Sequence, residues 1–232
     1  MHIAYVLYRG FTALDLVGPY EVISRWPNAH IHFVASDAGA VETDQGLTVL
    51  PTVEAADLPR PDLLLVPGAE NVLPALRDRS LIDWIQQASA SAQWVVSVCS
   101  GAALLAAAGV LEGRRATTHW AFRENLRAMG VHVVTERVVF DDRVVTAAGV
   151  SAGIDMALAL TARVHGERLA RSLQLAIEYD PRPPFDGGSP EKVDSGTLRL
   201  AMRMMLGDAP LHRLRSNGRQ IIADYGRRIL KM

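Results

Sequence analysis

The sequence predicts an α/β protein: a mostly parallel sheet with helices on both faces. Two observations carry this. Short, apolar, β-branched runs alternate along the chain with helical stretches, the pattern of a layered sheet with crossover helices. The runs are apolar throughout rather than alternating, as expected of strands covered on both sides. A third feature points to function within that frame. The single cysteine, Cys99, stands where the run 94–98 gives way to an Ala/Leu-rich stretch.

In chain order, residues 3–8 read as the first buried strand. Residues 16–26 read as a helix, with Gly18-Pro19 placed to break the segment and start the true helix near Pro19. Residues 30–36 form a second strand and 47–50 a short edge or hairpin strand. Residues 62–68 are a third buried strand, stopped by Pro67-Gly68. An amphipathic helix covers 73–90, and 94–98 is the strand ending at Cys99. Further on, 120–129 reads as helix and 131–135 as strand. Residues 137–140 and 143–147 flank a hairpin turn at Asp141-Asp142. Two more helices cover 151–164 and 167–179. The proline-rich stretch 180–190 interrupts regular structure. The expected division is therefore a domain over 1–190 and a basic helical extension over 191–232, packed on the domain or on a partner subunit.

Composition narrows the function. A net charge of −1 gives no electrostatic case for binding nucleic acid or an anionic membrane. One cysteine allows no intrachain disulfide and points to a reducing compartment. The N-terminus runs into a strand without the basic flank of a signal peptide. The longest apolar run, 102–111, is too short to cross a bilayer. The expectation is a cytoplasmic protein that works on a small molecule.

Cys99 follows a strand and precedes a helix, so it should sit on a tight turn with its side chain above the sheet end, as in a nucleophile elbow. Ser100 and Gly101 are small enough to let a substrate approach. The start of the following helix should favour a thiolate. The competing reading of a lone cysteine is a small buried hydrophobe.

Asp15 stands in an otherwise apolar segment after the first strand. It is either a helix N-cap or a carboxyl at the active end of the sheet, able to orient a thiol or move protons. Gly68 and Ala69 follow a strand, and with the N–H of Ser100 they can form an anion-stabilising pocket. His119 can serve as a base for Cys99, as a pocket wall or as an exposed residue. Gly149-Val150, ahead of a helix, lets a turn approach the pocket. His30 and His32 share a strand face, but no third ligand follows at a recognisable spacing, so no metal is expected. No nucleotide-binding fingerprint is present.

These segments together resemble the DJ-1/PfpI superfamily, and within it the isocyanide hydratases. The resemblance rests on 14–19 with Glu21, 66–69, 97–102, 117–120 and 149–155, and extends to about residue 190. It implies a flavodoxin-like sandwich, a homodimer and Cys99 as nucleophile. It further implies that Asp15 contacts the cysteine and is needed for turnover, and that Gly68, Ala69 and Ser100 supply backbone contacts. Ser100 replaces the threonine typical of those hydratases, keeping the hydroxyl and losing the methyl. The implied reaction turns an isocyanide into an N-substituted formamide through a thioimidate on Cys99, with no metal or organic cofactor. The alternatives are a DJ-1-type glyoxalase or deglycase using Asp15 and His119, a cysteine redox sensor, and a ligand-binding domain like that of AraC-type regulators. Such regulators carry two more helix-turn-helix units, for which the 42 residues after Pro190 leave too little room.

Overall fold

A computed structural model of the chain describes residues 1–206. The elements, in order, are β1 (His2–Val6), α1 (Ala13–Ile23), β2 (His30–Ala35), β3 (Val41–Glu42), β4 (Thr48–Val49), β5 (Val53–Glu54) and β6 (Leu63–Val66). Then come α2 (Leu73–Arg77), α3 (Arg79–Ser91), β7 (Trp94–Val98), α4 (Gly101–Ala107), β8 (Arg115–Ala116), α5 (Arg123–Ala128) and β9 (His132–Val133). The last are β10 (Val138–Asp141), β11 (Val144–Ala147), α6 (Ala152–His165), α7 (Glu167–Ala176) and α8 (Ser195–Leu206).

Seven strands form the central sheet in the order β10-β11-β7-β6-β1-β2-β5. All neighbours are parallel except β10, which returns antiparallel to β11 through the turn at Asp141-Asp142. The middle strands are buried over nearly their whole length, including Ile3, Tyr5, Leu63, Leu64, Leu65, Val95 and Val96. That explains their unbroken apolar sequence. The helices α1, α6 and α7 pack together as one layer, and α2, α3 and α4 as another.

Several sequence expectations shift by local chemistry. Gly18-Pro19 does not break α1, which runs from Ala13 to Ile23 with Pro19 inside it. Proline removes only the bond from residue 19 to the Asp15 carbonyl. The ring is buried against α6, where a Cβ on Gly153 would lie 3.0 Å from Pro19 Cγ. Asp15 therefore stands in the first turn of α1 and not in a loop. It is not the cap either, since the cap position is Thr12. The helix expected over 73–90 is two, because Asp78 ends α2 and caps α3 by accepting from the Leu81 N–H at 3.1 Å. The helix expected over 120–129 begins as a 3₁₀ turn at Trp120–Phe122. The short strands β3, β5 and β8 carry too little pattern to be read in sequence. The basic chain end, 227–232, lies outside the described residues.

The C-terminal ends of the inner strands lie side by side, with Val66 opposite Ser97 and Ala147 opposite Val98. In open parallel sheets this edge is where ligands bind.

Candidate active site

Cys99 is the first residue after β7 and has φ 58°. A non-glycine residue there costs roughly 1–2 kcal/mol, so the surroundings must hold it. They do so from both sides. The Cys99 N–H donates to the Ala147 carbonyl at 3.1 Å. The Thr118 hydroxyl donates to the Cys99 carbonyl at 2.8 Å. Gly101 then opens α4 hard against the end of β6, and a Cβ there would lie 2.3 Å from the Val66 carbonyl oxygen. The glycine thus serves the close packing of helix on strand that makes the turn tight.

Asp15 enters from α1 and is fully buried. Its Oδ2 accepts the Gly68 N–H at 2.8 Å. The Cys99 thiol lies close enough for the two groups to influence each other's ionisation, yet Oδ1 has no hydrogen-bond partner. The thiol is therefore beside the acid but not aligned with it, as is common before a substrate binds. The loop positions reinforce one another. The Thr12 N–H donates to the Gly68 carbonyl at 2.8 Å and the Asp15 N–H to the Thr12 carbonyl at 3.1 Å.

Ser100 is locked in place. Its hydroxyl donates to the Ala69 carbonyl at 2.8 Å and accepts the Ala69 N–H at 2.9 Å. Gly68 sits where these groups converge: a Cβ there would be 2.5 Å from the Ser100 nitrogen and 2.9 Å from Asp15 Oδ2. The pocket expected from the Gly68, Ala69 and Ser100 amides is thus assembled differently. Gly68 and Ala69 direct their N–H groups to Asp15 and Ser100. Two of the three amides thus hold the Asp15 and Ser100 side chains.

The electrostatics also differ from the sequence expectation of a favoured thiolate. Burial pushes the Cys99 thiol well above its usual range, and the Asp15 charge adds to this, against the weaker opposing effect of the Ser100 N–H. Burial likewise pushes Asp15 up to about 7, against the opposing effects of the Gly68 N–H bond and the neighbouring Cys99 thiol. A short α4 of seven residues does not overcome the loss of water.

His119 follows Thr118, the residue that bonds the Cys99 carbonyl. Its Nδ1 accepts the Ala121 N–H at 3.3 Å, capping the turn at Trp120–Phe122. Its ring edge meets the turn after β11, where a Cβ on Gly149 would lie 3.0 Å from Cδ2. Burial and the nearby Arg123 charge hold its pKa down at about 4, so the ring is neutral at pH 7 with its proton on Nε2. The half-buried Val150 follows Gly149 in the turn ahead of α6. Sequence reasoning missed Tyr8, whose hydroxyl donates to the Pro67 carbonyl at 2.8 Å. It also missed Thr118 as the group that holds Cys99. Neither carries a spacing signal, because partners on separate loops meet only in the fold.

The model of the DJ-1/PfpI family matches residues 1–163. The chain belongs to this family. The DJ-1/PfpI fold is also that of a THiJ/PfpI family protein from Pseudomonas syringae, with a TM-score of 0.85, 33% identity, and coverage of 97% of this chain and 90% of that one. An isonitrile hydratase from Pseudomonas putida is 40% identical over 203 residues, covering 88% of this chain and 89% of its own. The transcriptional regulator CdhR of Pseudomonas aeruginosa is 30% identical over 175 residues, and the match spans 72% of this chain but 51% of the regulator. Among the described residues, no helix is long and apolar enough to cross a membrane.

Proposed function

We propose that this DJ-1/PfpI protein is an isocyanide hydratase, R–N≡C + H₂O → R–NH–CHO, with Cys99 as nucleophile and Asp15 as proton carrier. The observation that carries the reading is the buried Asp15 carboxyl beside the Cys99 thiol, with a pKa of about 7, near the value that serves a proton carrier best at neutral pH. The 40% identity with the Pseudomonas putida isonitrile hydratase across nearly the whole length of both chains supports the same reading.

The working form of the pair holds one proton. Asp15 carboxylate takes the thiol proton as sulfur attacks the terminal isocyanide carbon, forming the C–S bond. Asp15 then passes that proton to the same carbon, giving a thioimidate, R–N=CH–S–Cys99. Water adds across C=N, its oxygen to carbon and one proton to nitrogen, with Asp15 as the relay. The resulting R–NH–CH(OH)–S–Cys99 loses its hydroxyl proton to Asp15 as the C–S bond breaks. Formamide leaves, and the proton returns to the pair. Covalent catalysis thus splits one hard addition into two easier ones. The Ser100 hydroxyl, held on Ala69, fixes the position of the elbow, and His119, Gly149 and Val150 wall the pocket. No metal or organic cofactor enters this scheme.

A glyoxalase would call on His119 for proton transfer. Here His119 Nδ1 is engaged by the Ala121 N–H and a pKa of about 4 makes the ring a weak base, which favours the hydratase. A homodimer working in the cytoplasm, with a main domain over 1–190 and an extension from 191, belongs to the same proposal. The ion pair between Arg123 and Glu191 at 3.6 Å fits an extension docked on the domain.

The test is formamide production from cyclohexyl isocyanide by the wild type beside Cys99→Ala. Formamide from the wild type alone supports the reading. Absence of formamide from folded wild type defeats it.

A further inference from the structure

The β3–β4 hairpin plays no part in the scheme above, yet it reaches the site. Asp44, at its tip, accepts the Thr12 hydroxyl through Oδ2 at 2.5 Å. The Asp44 N–H donates to the Phe11 carbonyl at 3.1 Å, and the Gly10 N–H to the Glu42 carbonyl at 2.8 Å. Phe11 in turn bridges to Ala69. Thr12 is the cap residue of α1 and bonds both Gly68 and Asp15 through its backbone. The hairpin is thus pinned onto the loop that delivers Asp15. Asp44 Oδ1 is buried without a partner, so part of its charge is shielded from water and felt by its neighbours.

We propose that Asp44 is a positioning residue for the Asp15–Cys99 pair: it clamps Thr12 at the start of α1 and faces Asp15 with a second negative charge.

Besides the Gly68 N–H on Oδ2, the titratable groups near Asp15 come from three elements. Cys99 sits on the elbow, Tyr8 on the loop after β1, and Asp44 on the hairpin. Of these, Tyr8 is held neutral by burial. The exposed Glu70, bonded by Gln45 at 3.3 Å, lies beyond Asp44. Arg9 from the same loop is exposed and paired with Glu42 at 3.7 Å, so it does not offset Asp44 at close range. Asp44 therefore adds to burial in making it harder for Asp15 to ionise, and so raises the pH above which the pair reaches its one-proton form.

This rests on reading Asp15 as the proton carrier, so the test uses a readout that needs no isocyanide. Alkylation of Cys99 by iodoacetamide is followed against pH by intact mass, in wild type and Asp44→Asn. The amide of that variant keeps an oxygen for Thr12 but removes the charge. The alkylation profile moves to lower pH, with a gain of about threefold or more at pH 6. A merely structural role for Asp44 would not move it. Thr12→Val is a second variant. It keeps the charge but frees the carboxylate to water, and moves the profile the same way by less. A profile that stays at the wild-type pH in the folded variants overturns the proposal, even if formamide is produced. A shifted profile with no formamide from the wild type upholds it and defeats the hydratase reading instead.

Discussion

Asp15 lies against the Cys99 thiol with one carboxyl oxygen fixed by the Gly68 N–H at 2.8 Å and the other without a partner. The two side chains arrive from different layers, Asp15 from the first turn of α1 and Cys99 from the end of β7. Neither is well solvated, so neither ionises easily. In the proposed scheme the pair stores a proton between an acid and a nucleophile, and its chemistry depends on where that proton is.

That arrangement weakens the fold at neutral pH. Asp15 has a folded pKa of about 7 against an ordinary 3.8. Between those values the native state keeps a proton that the unfolded state has lost, so stability falls as pH rises and levels off above 7. The span of about three pH units corresponds to at most about 4 kcal/mol. Asp15→Asn does not suffer this loss. Urea denaturation should find it more stable than wild type at pH 8, by a margin that shrinks toward pH 4. Its turnover should nevertheless fall by about 100-fold or more, the usual scale for losing a general acid or base. A variant less stable than wild type at pH 8, or one with near-normal turnover, would contradict the role given to Asp15.

Gly68→Ala should be damaging for a defined reason. The new Cβ would meet the Ser100 nitrogen at 2.5 Å and Asp15 Oδ2 at 2.9 Å. Both neighbours are fixed by hydrogen bonds, so the loop has to shift. We expect a loss of roughly 1–3 kcal/mol in stability and a large fall in kcat as the acid leaves the thiol. Thermal denaturation and steady-state kinetics measure both.

The positive φ of Cys99 gives a third prediction. Cys99→Gly relieves the backbone strain at φ 58°, whereas Cys99→Ala keeps it. The glycine variant should equal or exceed the alanine variant in stability, by up to about 1–2 kcal/mol, with both inactive. An alanine variant clearly more stable than the glycine variant would show that the turn is not strained.

The legible parts of this molecule are those written in contiguous residues. The apolar runs at 62–66 and 94–98 announce buried strands, and the strand-to-helix change at Cys99 announces the elbow. Asp15 is visible as a carboxyl out of place. Its seat inside α1 is not, because Pro19 reads locally as a break, whereas in the fold it sits within the helix and packs on Gly153. The use of the Gly68 and Ala69 amides is likewise hidden. Whether an N–H is free for substrate depends on side chains brought in from α1 and α4. Asp44 carries no signal at all, since a polar residue in a turn is ordinary until the hairpin folds over Thr12.

The proposed chemistry stands or falls on a covalent bond between the isocyanide carbon and Cys99. Rapid acid quench of wild-type enzyme turning over cyclohexyl isocyanide, followed by peptide mass analysis, looks for that bond itself. The expected result is the mass of one isocyanide on the Cys99 peptide during turnover and its disappearance when substrate is exhausted. Sustained formamide production with that peptide unmodified, or with the adduct on another residue, would contradict the covalent route.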